Sequence, residues 1–91
     1  MDEEVLRGKA RAALQSGRIP SRRPDRTLGR PGAGAHCAVC ELPVRRDEME
    51  CEINFTSHGD EASLSEVHVH IRCFAVWESE RVAAGQRAAT S

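Results

Sequence analysis

Apolar and polar residues alternate without a break over residues 47–55, DEMECEINF. Met49, Cys51, Ile53 and Phe55 fall on one side, and Glu48, Glu50, Glu52 and Asn54 on the other. A period of two predicts a half-buried strand, its acids turned to water. Over residues 64–70, Val67 and Val69 alternate with His68 and His70, which predicts the return strand of a hairpin. SHGDEAS between them contains Gly59-Asp60 and reads as the hairpin loop. From Ile71 the apolar spacing lengthens to three and four. Ile71, Phe74, Ala75, Glu78 and Val82 predict a helix from about Ile71 to Ala84, ended by Gly85. The expected core is Met49, Ile53, Phe55, Val67, Val69, Ile71, Phe74 and Val82. Trp77, one turn beyond Cys73, is expected to shield the same side of that helix.

The N-terminal third has a different pattern. Asp2 is a suitable N-cap, Glu3 and Glu4 complement a helix dipole, and Gly17 is a natural stop, so residues 2–16 are predicted helical. Val5, Leu6, Ala12, Ala13 and Leu14 supply its modest apolar face. Residues 18–35, RIPSRRPDRTLGRPGAGA, are broken by three prolines and three glycines and are predicted to form an extended arm without regular structure. Ile19 and Leu28 are its candidate anchors. The fold class expected is therefore α+β: an N-terminal helix, an extended Arg/Pro/Gly arm, a β-hairpin and a C-terminal helix.

Composition adds a constraint. Ninety-one residues with two Phe, one Trp and no Tyr make a small core, and chains of this size commonly need a staple. Four cysteines can supply one. No stretch has the roughly 20 apolar residues of a membrane span. The start, MDEEVLRGKARAAL, lacks the apolar run of a secretory signal. The expectation is a cytoplasmic protein without membrane contact, where CxxC serves metal or redox chemistry more often than a structural disulfide. On the same ground the sequon at Asn54 is accidental.

Cys37-x2-Cys40 and His70-x2-Cys73 are the candidate metal ligands. Two cysteines in a tight turn reach one ion, and so do His and Cys at i and i+3 where a strand passes into a helix. Helix N-terminal amides also favour thiolate over thiol. A structural zinc is the expected cofactor. Two plainer readings stand beside it: buried free cysteines, and disulfides, for which four cysteines allow three pairings. Cys51 belongs to the apolar strand face and is read as core. His68 is either a solvated residue, a partner to a ligand, or an alternate ligand. His36 and His58 have no evident role.

The arrangement resembles a treble-clef zinc finger, and HIRCF is similar to the His-x-x-Cys-Phe of LIM-type knuckles. The segment 41–69 is longer than in most LIM knuckles, and a second zinc quartet is lacking. The whole chain also resembles a group of small uncharacterised bacterial proteins through GRIP (17–20), PDR (24–26), GRPGAG (29–34) and HVHIRCFAVWE (68–78). The first likeness implies a fold, and the second implies no activity. The resulting division is a helix over 1–17, a basic arm over 18–35, a zinc-finger-like domain over 36–85 and a disordered tail over 86–91.

Four protein ligands leave no open position on a zinc ion, and no general base or phosphate loop accompanies them, so a non-enzyme is expected. Charge is split: residues 1–34 carry eight Lys/Arg against four Asp/Glu, and residues 35–91 five against ten. The expected function is a structural-zinc module for protein–protein interaction, as an adaptor or regulator. The alternatives are nucleic-acid binding through Arg18, Arg22, Arg23, Arg26 and Arg30, and a redox-sensitive thiol–zinc switch. Against nucleic acid, the cysteine-bearing half is acidic and the arm has no aromatic residue on which a base could stack. The arginines have a plainer use as well, folding back on Glu48, Glu50, Glu52 and Glu61.

Overall fold

The computed structural model describes residues 2–56 and 64–90. In chain order the elements are α1 (Glu3–Ser16), β1 (Arg26–Pro31), β2 (Met49–Thr56), β3 (Leu64–His70) and α2 (Ile71–Thr90). The α+β class holds. The hairpin loop expected around His58 and Gly59-Asp60, and with it Glu61, lies outside the described residues. Among the described residues no helix is long and apolar enough to cross a membrane.

The arm departs from expectation. Arg26–Pro31 is a strand that pairs antiparallel with β2, from Arg26 opposite Asn54 to Pro31 opposite Met49. Proline and glycine are tolerated because β1 is an edge strand of a sheet ordered β1-β2-β3. Beyond β1, Gly32 donates its N–H to Glu48 O at 2.8 Å. A Cβ on Gly32 would lie 2.2 Å from Arg45 O, so only glycine permits this approach.

A central strand changes the fate of the β2 acids. Glu50, Glu52 and Asn54, expected in water, are buried. Arg30 lies directly across from Glu50 and reaches Glu50 Oε2 at 3.7 Å and Glu52 Oε2 at 3.3 Å. On the other side His68 Nδ1 meets Glu50 Oε2. These cross-strand partners compensate carboxylates that would otherwise resist burial. Ile53, Phe55, Val69 and Cys51 are buried as expected, and Val67 packs against them half-buried. Met49 is 52 % exposed, because it opens β2 at the lip of a surface hollow.

Helix α2 is rotated by about half a turn from its predicted orientation. Its buried stripe is Cys73, Val76, Trp77 and Glu80. At 3.6 residues per turn, Ile71 and Val82 lie on the opposite side, and both are exposed. Phe74, at the stripe's margin, is half-buried against Trp77. Trp77 is fully buried, and its ring meets Phe55 edge-on at 6.3 Å. Nor does Gly85 end this helix, which runs on to Thr90.

α1 begins after an extended Asp2, whose side chain makes no capping bond, and ends at Gly17 with φ 75°. Leu6, Ala10 and Ala13 form its buried stripe, whereas Val5 and Ala12 face out. The small alanines let α1 pack on α2. Glu80 there accepts from Arg11 Nε at 2.5 Å and from Arg7 Nη1 at 3.1 Å. Ile19, directly after α1, is fully buried and anchors the arm, while Leu28 is partly exposed.

Candidate metal centre

Residues 36–43 form a tight loop closed by a bridge between His36 and Pro43. Within it Cys37 N–H donates to Leu42 O at 2.8 Å, and Glu41 N–H to Cys37 O at 2.9 Å. Glu41 takes the left-handed conformation, φ 68°, to complete the turn. Cys40 N–H points at Cys37 Sγ, 3.5 Å away. The loop is docked on the sheet by Ala38 N–H donating to His68 O at 2.9 Å. That bond brings the cysteine turn beside the end of β3, where His70 closes the strand and Cys73 lies in the first turn of α2.

The donor atoms of Cys37, Cys40, His70 and Cys73 all lie within 4.8 Å of one another. His70 Nδ1 stands 3.4 Å from Cys40 Sγ and 3.8 Å from Cys73 Sγ. All three cysteines are buried, and all four cysteines of the chain are free. Three thiols and one imidazole in this proximity can hold a metal ion. His70 Nε2 faces Glu48 Oε1 at 3.6 Å. A carboxylate there orients the ring with Nδ1 toward the sulfurs, the arrangement metal-bound imidazoles commonly have. Glu48 is itself fixed, since Oε1 accepts from Arg45 N–H at 3.0 Å. Its place opposite the imidazole was not readable in the sequence, because it depends on how the 36–48 loop returns to the sheet.

Proton affinities reflect crowding. Cys37 is pulled down to about 4, first by the hydrogen bond from Cys73 and then, against the cost of burial, by backbone amides. The same bond, with burial, pushes Cys73 up, and burial pushes Cys40 up. Three sulfurs packed together cannot all ionise unaided, so one thiolate is shared by its neighbours. A cation at the centre would reverse that logic and favour three thiolates. Cys51 is outside the cluster and its thiol is raised by burial, as befits a core residue.

The other sequence candidates separate. His68 lies outside the four-donor group and pairs with buried Glu50. Arg18 holds the cysteine turn, donating from Nε to Ala38 O at 2.7 Å and pairing with Glu41 at 3.2 Å. Arg22 pairs with Asp25 at 3.0 Å and lies over the Phe55 ring. Arg30 is committed to Glu50 and Glu52. Arg23 and Arg26 remain exposed.

The centre is thus a Cys3His cluster that could hold a metal ion, set at a strand–helix junction of an α+β domain. No family model, curated protein or solved structure matches the chain.

Proposed function

We propose that the chain is a non-catalytic, treble-clef-like module whose Cys37, Cys40, His70 and Cys73 hold a structural zinc ion and which acts by binding another protein. The observation that carries this reading is the convergence of four donor atoms within 4.8 Å from two separate segments. Thiolate and imidazole donors suit zinc, and four of them fill its tetrahedral shell without room for a reactive water. The order of cysteine turn, hairpin and donors at the strand–helix junction supports the treble-clef likeness.

A protein partner is supported by the surface beside the cluster. Leu42, Met49 and Ile71, each roughly half exposed, gather around one hollow of about 340 Å³ that Cys40, His70 and Cys73 also line. Clustered apolar side chains of this kind mark contact surfaces. Nucleic-acid binding by the whole arm is disfavoured, because Arg18, Arg22 and Arg30 are paired within the chain. Free, buried cysteines accord with a reducing compartment such as the cytoplasm. Native mass spectrometry of the full chain, with and without chelator, tests the reading. One zinc per chain, lost together with the compact charge distribution on chelation, is expected. A compact chain that takes up no zinc overturns it.

A further inference from the structure

Of the five arginines between residues 18 and 35, only Arg23 and Arg26 make no side-chain hydrogen bond or ion pair among the described residues. Both line a single hollow of about 330 Å³, shared with Asp25, Thr27, Phe74 and Glu78. The acids at its wall are already neutralised: Arg22 pairs with Asp25 at 3.0 Å, and Arg81 pairs with Glu78. Two guanidinium charges are therefore left uncompensated at one polar concavity, in a chain whose net charge is −1.

We propose that this hollow binds one phosphate-class dianion, with Arg23 and Arg26 as the ligand-holding pair. Guanidinium forks match tetrahedral oxyanions in geometry, and two of them balance a dianion. The Thr27 hydroxyl adds a neutral donor. Phe74, half-buried, offers an apolar wall against which the remainder of a phosphate monoester can lie. A single anion fits better than a polyanion. Beyond a Debye length of about 8 Å an extended chain of phosphates would gain nothing further from the pair. The monoester belongs either to a free nucleotide or to a phosphorylated side chain. The inference does not depend on the identity of the metal.

Amide-resolved NMR titration of the zinc-loaded full chain tests it, with inorganic phosphate, adenosine monophosphate, O-phosphoserine and adenosine as probes. Saturable shifts at Arg23, Arg26, Thr27 and Phe74 are expected with all three phosphates and none with adenosine. Arg23→Gln and Arg26→Gln together should weaken phosphate binding by about tenfold or more, as loss of charge-assisted hydrogen bonds requires. Arg46→Gln, an exposed arginine outside the hollow, should leave it unchanged. Tighter binding of the nucleotide assigns a nucleotide source, and tighter binding of O-phosphoserine a phosphorylated side chain. Shifts confined to other residues, undiminished binding by the double variant, or saturation by adenosine overturn the proposal. So does an oligonucleotide that binds far more tightly than the monophosphate with steep salt dependence.

Discussion

The two ends of the inward face of α2 are fastened by different chemistry. At its first turn Cys73 joins Cys37, Cys40 and His70 in a cluster that can hold a metal ion. Two turns on, Glu80 is buried between Arg7 and Arg11 of α1. The first fastening links a turn, a strand and a helix through donors that cannot all ionise until a cation arrives. The second links two helices through charges that attract without help, and its arginines stay partly in water, which screens them. The contrast shows where stability is conditional. The cluster should dominate when metal is present and be a burden when it is absent, whereas the ion pair contributes modestly under both conditions.

The largest expected effect breaks the first fastening. A structural zinc contributes about 10–16 kcal/mol of apparent binding energy at neutral pH, comparable to the whole stability of a small domain. Replacing Cys37, Cys40, His70 or Cys73 by Ala should abolish zinc binding and cooperative thermal unfolding together, followed by circular dichroism. Full structure and a sharp melt in metal-free protein would show that apolar packing suffices and that the cluster is incidental.

Breaking the second fastening should cost less. Glu80→Ala loses two charge-assisted hydrogen bonds, and with solvent screening of the arginines the expected loss is about 3 kcal/mol, zinc content unchanged. Arg11 first and Arg7 second hold the Glu80 carboxyl below its usual range, despite its burial. A depressed folded pKa means stability that is complete above the unfolded value and lost as pH falls through the folded one. The difference in stability between the wild-type chain and Glu80→Gln should accordingly be constant near neutrality and shrink in acid. A difference that grows in acid would refute the pairing.

The same contrast explains what could be read in the sequence. The four donors of the cluster announce themselves by local spacing, CxxC and HxxC, at a visible change of period. Glu80 announces nothing, because its partners stand 69 and 73 residues away. The spacing of Ile71, Phe74, Ala75, Glu78 and Val82 placed that side of α2 in the core, whereas the buried stripe is Cys73, Val76, Trp77 and Glu80. The alternation in β2 was legible, but its acids were assigned to solvent because β1 was hidden under proline and glycine. Once Arg26–Pro31 pairs with β2, Arg30 arrives beside Glu50 and Glu52 and makes their burial tolerable. The extents of α1 and of the hairpin strands and the core place of Cys51 needed no distant partner and were legible, whereas the inward face of α1, which turns Val5 and Ala12 to solvent, was not.

His68 tests whether the buried acids behave like the Glu80 pair. Glu50 is fully buried, and its Oε1 atom has no partner among the described residues. Removing His68 leaves Arg30 at 3.7 Å as the main compensation for the carboxylate. His68→Ala is thus expected to destabilise by about 2 kcal/mol, the scale of stranding a buried polar group, without loss of zinc. Metal loss in this variant, measured by native mass, would instead identify His68 as a ligand.

The smallest effect belongs to the cysteine outside the cluster, and it sharpens the comparison from the other side. Cys51 lies opposite Val69 in the centre of the sheet, buried and free. Its thiol is pushed up by burial, with the Glu50 and Glu78 charges adding to the shift, so it remains protonated and serves as a small apolar side chain. Trimming it to Ala removes one sulfur from a packed layer. A cavity of that size costs about 1 kcal/mol, well below the effect of any ligand substitution. Zinc stoichiometry should be unchanged, and the melting transition should shift down slightly and stay cooperative. If Cys51→Ala instead released the metal as readily as Cys37→Ala, the cluster would extend into the sheet. The separation between a conditional fastening and an ordinary core would then fail at the residue that defines it.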